Sequence, residues 1–321
     1  MSGRIAAANG RDDGRPSRQI NIVLRNQEPP VVSNPAGDKE TVPVKVHSHS
    51  GLFQEISKDL DALVGLDNIK ELVFEIYALL QVAQMRSEAG LASSGQAYHM
   101  VFKGNPGTGK TTVARIVAKL FQRMGVLSKG HLIEVERADL VGEYIGHTAQ
   151  KTRDLVKKAL GGILFIDEAY SLARGGEKDF GKEAIDTLVK SMEDHRSQFV
   201  LILAGYSGEI DYFLMSNPGL PSRFPIQVEF PDYTIDQLLQ IAELMAKERD
   251  YILMPQAILK LKQYLLVEKN ESLHAFSNAR YVRNSIEKAV RSQAVRLLNQ
   301  YENNSPGRQE LMSLRTEDFK L

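Results

Sequence analysis

The chain contains no cysteine among its 321 residues. That absence excludes disulfides, thiolate metal sites and a cysteine nucleophile, and it permits a reducing compartment. The chain also has no excess of charge of either sign. Forty Lys and Arg balance forty Asp and Glu, so the formal net charge is zero. No global field draws it to nucleic acid or to an anionic membrane. No apolar run approaches the length of a membrane span. The first residues, Met1-Ser2-Gly3-Arg4-Ile5-Ala6, lack the apolar stretch of a secretion signal. The expected location is the cytoplasm. No internal repeat is visible. What remains is ordinary for a globular protein, with 43% hydrophobic and 25% charged residues. At about 150 residues per domain the length suggests roughly two domains.

The most informative stretch that is present is Gly104-Asn105-Pro106-Gly107-Thr108-Gly109-Lys110-Thr111. It fits the phosphate-loop pattern G-x-x-x-x-G-K-[ST] at every fixed position. The glycines allow backbone angles that turn successive N–H groups toward one anion. Lys110 is expected to reach the β- and γ-phosphates, and the Thr111 hydroxyl to bind Mg²⁺. The context agrees: Tyr98–Phe102 reads as a strand, and a helix follows from Thr112, its N-terminus favouring negative charge. A nucleoside triphosphate site is the expectation.

Residues 1–50 are rich in Gly, Pro, Arg, Asp, Asn and Ser, and are expected to form a flexible tail. Within them Ile20–Leu24 reads as an incidental apolar patch, with a short strand or a docking peptide as the alternatives, and His47 and His49 as surface histidines. From Phe53 the apolar spacing turns helical, with a turn at Val64-Gly65-Leu66. Strands are expected at Leu132–Val135, Gly162–Asp167, Phe199–Ala204 and Ile226–Phe230 besides the one before the phosphate loop. Their continuous apolar runs suit a parallel sheet buried on both faces, and helical patterns lie between most of them. After Asp232 the chain reads as wholly helical. Thr234 and Gln237 form a capping box, Pro255 opens a second helix, and Asn278 opens a third with Val282, Ile286, Val290, Ala294 and Leu297 on one stripe. The expected domains are an α/β nucleotide-binding domain over 51–232, a helical lid over 233–302 and a polar C-terminal tail over 303–321.

A second motif completes the site. Ile163-Leu164-Phe165-Ile166 ends in Asp167-Glu168. A buried strand thus aims two carboxylates from its C-terminal end, where open α/β sheets bind ligands. Asp167 is placed to hold Mg²⁺. Glu168 is placed to orient and deprotonate an attacking water.

Carrying both motifs, the chain resembles the AAA+ ATPases over about residues 52–300. Within them it resembles the branch of stage V sporulation protein K and the red-type rubisco activases, most of all on its sporulation side. Asp139–Thr148, Phe165–Tyr170, Ala204-Gly205-Tyr206, Asn217–Phe224 and Asn278-Ala279-Arg280 carry the closer likeness. The resemblance implies a P-loop parallel sheet with a helical lid, using ATP and Mg²⁺. It implies that Arg223 is a finger supplied to a neighbouring subunit's γ-phosphate, and that Arg280, or Arg283 one turn later, is the second sensor. Val64, Gly65 and Leu66 correspond to the segment that contacts adenine. The first sensor departs from the common Asn or Thr, and Tyr206 or Ser207 stands in its place. Tyr144-Ile145-Gly146 corresponds to a pore loop that grips extended polypeptide, and Arg174–Lys178 to a second pore loop or a connector.

The function so implied is a homo-oligomeric ring, hexameric by analogy, that spends ATP on remodelling a protein client, with sporulation as the setting. A rubisco-activase-like remodeller is the alternative within the same mechanism, and a nucleic-acid motor or loader outside it. Neutral net charge and Tyr144 argue against nucleic acid.

Overall fold

Strands of uninterrupted apolar residues need cover on both faces, and that demand sets the architecture. The computed structural model describes residues 50–92, 97–144, 146–175, 179–271, 276–301 and 305–320. Residues 1–49 of the expected N-terminal tail, Ile145 and residues 176–178 lie outside them, while Ser50 belongs to the first helix.

Two helices lead in, α1 (Ser50–Asp61) and α2 (Asp67–Glu88). Then strand and helix alternate: β1 (Met100–Gly104), α3 (Lys110–Arg123), β2 (Leu132–Val135), a short α4 (Arg137–Leu140), α5 (His147–Ala159) and β3 (Ile163–Ile166). A 3₁₀ turn at Ala169–Ala173 precedes α6 (Gly181–Asp194), β4 (Val200–Gly205), α7 (Ser207–Met215), a one-turn α8 (Leu220–Arg223) and β5 (Ile226–Phe230). Each strand lies within two residues of its expected position.

The five strands form one wholly parallel sheet in the order β2-β3-β4-β1-β5. Met100 stands opposite Ile202 on one side and Ile226 on the other. Alternate side chains feed two cores. Met100, Phe102, Phe165 and Ile202 pack with residues of α1, α2 and α3, whereas Val101, Leu164, Ile166 and Leu203 pack with residues of α5, α6 and α7. Because all strands run the same way, β1, β3 and β4 release Gly104, Asp167 and Tyr206 along one edge of the sheet.

The lid follows with α9 (Ile235–Lys247), β6 (Ile252–Leu253), α10 (Pro255–Glu271) and α11 (Asn278–Gln300). The capping box at its start forms as expected. The Gln237 N–H donates to Thr234 Oγ1 at 3.2 Å, and the Thr234 N–H to Gln237 Oε1 at 2.8 Å.

Three expectations need correction. First, the lid is not wholly helical, because β6 pairs in parallel with β7 (Ser313–Leu314). Second, the segment expected as a tail from residue 303 is folded over 305–320. It carries α12 (Arg308–Met312), β7 and a 3₁₀ turn at Thr316–Asp318, and fully buries Leu314 and Phe319. Arg296 on α11 anchors it by donating from Nε and Nη2 to the two carboxylate oxygens of buried Asp318 at 2.8 and 3.0 Å. Third, the buried stripe of α11 runs through Val282, Ile286, Ala289, Gln293 and Leu297, while Ala294 is exposed. Gln293 is buried because its amide donates to the Glu310, Leu311 and Ser313 carbonyls of the returning segment. A polar side chain at that spacing is tolerated only because those carbonyls need a donor.

Candidate active site

The phosphate loop leaves the middle of the sheet and turns into α3. Gly107 and Gly109 take positive φ of 72° and 99°. At Gly107 a Cβ would lie 2.3 Å from the Ser277 carbonyl oxygen, so no side chain fits. Thr108, fully buried, ties the turn by donating from Oγ1 to the Asn105 carbonyl at 2.8 Å. Lys110 opens α3, and its ammonium donates to the Gly104 and Asn105 carbonyls, each at 2.8 Å. Burial pushes that ammonium down to about 8; Arg280 acts in the same direction, and the carboxylates of Asp167 and Asp232 oppose it. The lysine is therefore a cation held ready at the loop, desolvated and short of anionic partners.

The second wall comes from the end of β3. The Asp167 N–H donates to the Val135 carbonyl at 3.0 Å, and Asp167 Oδ1 accepts from the Glu168 N–H at 3.0 Å. Glu168 itself is exposed and adopts φ 46°, ψ 43°. A left-handed non-glycine residue is strained, and such strain collects at functional positions.

These elements enclose a cleft of about 840 Å³. Gly104, Pro106, Gly107, Gly109, Lys110, Thr111 and Thr112 line it from the loop, Asp167 and Glu168 from β3. Val64, Tyr206, Arg280 and Arg283 line it as well. Asn105, Thr108, Gly65 and Leu66 are not on the lining. Ser207 donates to Glu229 at 2.9 Å and is not on the lining, whereas Tyr206 is, with its ring 6.1 Å from that of Tyr170. The structure does not bring Arg223, Tyr144 or Gly146 to this cleft. Arg223 sits at the end of α8, donating to the Gly219 carbonyl at 2.8 Å and paired with Glu193. Tyr144 is 66% exposed and meets His147 edge-on, and Gly146 caps α5 with φ 83°. Ile145 lies outside the described residues.

Sequence reasoning missed part of the lining. Tyr233 lies in the cleft, its hydroxyl donating to the Thr108 carbonyl at 3.2 Å, and burial raises its phenol to about 12. Ile241, Leu244 and Met245 of α9 add an apolar face. At helical spacing such residues read as core, and nothing in the sequence separates a core stripe from a ligand-facing one.

The donor set suits a nucleotide with a hard cation. Lys110 and the start of α3 face phosphate charge. Thr111 and Asp167 offer the oxygen donors that Mg²⁺ takes.

Comparison with known proteins agrees with this geometry. Residues 100–232 match the ATPase family associated with various cellular activities (AAA), and residues 234–321 the AAA lid domain. The chain is 58% identical to stage V sporulation protein K of Bacillus subtilis (strain 168), covering 94% of each chain. It is 45% identical to a chloroplastic ribulose bisphosphate carboxylase/oxygenase activase of Cyanidioschyzon merolae, covering 88% of this chain and 96% of the other. It is 46% identical to protein CbbX of Cereibacter sphaeroides, covering 76% and 79%. The crystal structure of the FIGL-1 AAA domain in complex with ADP shares the fold, with a TM-score of 0.54, 16% identity and 80% of each chain covered. The chain therefore belongs to the AAA+ ATPases, in the branch of stage V sporulation protein K, CbbX and the rubisco activases, and is an ATP hydrolase.

Proposed function

We propose that this ATPase binds ATP with Mg²⁺ in the cleft, assembles as a hexameric ring and spends hydrolysis on threading a protein client through its pore, in the setting of bacterial sporulation and in the cytoplasm. The observation that carries the reading is the convergence of Lys110, Thr111, Asp167 and Glu168 on one cleft while Tyr144 stands exposed on a separate loop.

In this reading Glu168 takes a proton from water as the water oxygen bonds to the γ-phosphorus and the bond to the bridging oxygen of ADP breaks. Phosphate and ADP leave. Lys110 and the loop N–H groups hold the β- and γ-oxygens, Arg280 reaches the nucleotide from the lid, and Tyr206 stands as first sensor. Thr111 and Asp167 would hold Mg²⁺, whose charge would offset that of the phosphates. Val64 and the Gly65-Leu66 turn flank the base, with Ile241 and Met245 opposite. Arg223 acts on the neighbouring subunit, where a cation stabilises charge that develops in the transition state. The nucleotide-binding domain spans 51–232, and the lid runs from 233 through the folded C-terminal segment. Tyr144 grips by ring contact that tolerates any extended peptide.

The sporulation setting draws on the 58% identity to a sporulation protein across 94% of both chains. The relatives at 45–46% identity support a second reading with the same machine and rubisco as client. One experiment addresses both. Glu168→Gln, loaded with ATP, is incubated with native lysate beside the Glu168→Gln, Tyr144→Ala double variant. A protein retained by the single variant alone supports threading and identifies the client. Identical retention by both, or retention of DNA, removes the threading role of Tyr144.

A further inference from the structure

A phosphate loop binds its anion through N–H groups, and the planar peptide unit then turns the carbonyls to the other side. Holding those carbonyls fixes the direction of the N–H groups. Here the lid and the linker before it hold them in turn. The Asn278 amide lies 3.4 Å from the Pro106 carbonyl, the Ala279 N–H donates to the Gly107 carbonyl at 3.2 Å, and the Tyr233 hydroxyl to that of Thr108 at 3.2 Å.

Asn278 is the node of this arrangement. It is fully buried at the head of α11, with φ 46°. Asparagine tolerates that conformation, though glycine would meet the backbone need alone. Its side chain makes contacts that glycine lacks. Oδ1 accepts from the Tyr233 N–H at 2.9 Å, while Nδ2 donates to Asp232 Oδ1 at 2.7 Å and to the Phe276 carbonyl at 2.9 Å. Only one orientation of the amide gives the N–H an acceptor and the carboxylate a donor. Asp232 in turn accepts from Asn105 Nδ2 at 2.9 and 3.0 Å through its two oxygens. One buried side chain thus joins the lid, the linker and the loop.

We propose that Asn278 is a positioning residue for nucleotide binding: through Asp232 and Asn105, and at the Pro106 carbonyl, it clasps the back of the phosphate loop and sets the aim of its N–H groups. The inference rests on the nucleotide-site reading and deepens it. Lid orientation and loop geometry are then one variable, and the loop is correctly shaped for phosphate when the clasp is closed.

The test uses the full chain and a fluorescent ADP derivative, read as a dissociation constant beside the nucleotide-free melting midpoint. Asn278→Gly keeps the backbone conformation and removes the clasp, and should weaken ADP binding about tenfold, the size of one lost hydrogen bond to a charged group. Asn105→Ala opens the same clasp from the loop side with the lid untouched, and should weaken binding comparably. Because both act through Asp232, the double variant should be no weaker than the weaker single. Lys269→Ala supplies the control. Its ammonium donates to the Tyr233 carbonyl at 2.9 Å, on the same linker but outside the Asn278–Asp232–Asn105 run of hydrogen bonds. It should lower the melting midpoint and leave ADP affinity within about twofold, below one hydrogen bond's worth. Unchanged ADP affinity in Asn278→Gly, equal weakening by Lys269→Ala, or additive losses in the double variant would each overturn the proposal. Absent ADP binding by the unaltered protein would overturn the site reading, and the clasp with it.

Discussion

The cleft and the two outlying residues, Arg223 and Tyr144, differ in how far the chain itself completes them. In the cleft three groups are tied to their own chain: Lys110 to two carbonyls, Asp167 to a backbone N–H, Tyr233 to the loop. Arg223 rests on Glu193, which is 61% exposed, and Tyr144 faces solvent. Exposed ion pairs contribute about 0–1 kcal/mol, so Glu193 holds the guanidinium weakly, as the proposed finger role of Arg223 requires. On the proposed reading, a single subunit builds the binding half of the chemistry and leaves outside the cleft the two groups assigned to a neighbour and a client.

That contrast can be broken on the cleft side first. Glu168→Gln should lower ATP turnover by about 10²–10⁴-fold, the usual worth of a general base, while ADP affinity stays the same; steady-state phosphate release and equilibrium binding check this. Tyr144→Ala, on the other side of the contrast, should leave basal turnover as it was. Next in size is Phe319→Ala. Emptying this fully buried site should destabilise the lid by about 3–5 kcal/mol in denaturant unfolding, where a true tail would show no effect. Nucleotide affinity should also depend on the protonation of Lys110. Its ammonium is desolvated and loses its proton at about 8. Below that pH it is charged and affinity should be flat. Above it a proton must be taken up on binding, so ADP affinity should fall about tenfold per pH unit, and Lys110→Arg should flatten the profile. The smallest effect concerns the lid's first helix, where Thr234→Ala removes the cap and should cost about 1 kcal/mol without changing turnover at saturating ATP.

The motifs that were legible in the sequence are contiguous. Gly104–Thr111 and Ile163–Glu168 carry their geometry in their own spacing, and the strands around them follow from unbroken apolar runs. The rest of the cleft is assembled across long separations. Asn278 reaches Asp232 across 46 positions and Pro106 across 172. Ile241 and Met245 share the spacing of core residues, so their exposure to the cleft is set by how α9 lies. The misread end of the chain has the same origin. Residues 305–320 show no periodicity, because isolated anchors hold them down: buried Leu314 and Phe319, the Arg296 ion pair to Asp318 and the Gln293 amide on three carbonyls. A two-residue strand such as β7 has no pattern of its own and forms only where β6 offers an edge.

The most direct measurement mixes two inactive variants. Glu168→Gln keeps its finger and lacks its base, while Arg223→Ala keeps its base and lacks its finger. If each cleft is completed by the next subunit, either alone should be nearly silent and a mixture should regain turnover, greatest near equal proportions, because some interfaces pair an intact Glu168 with an intact Arg223. Turnover that stays silent at every ratio, or Arg223→Ala that hydrolyses ATP normally by itself, would contradict a site shared between subunits.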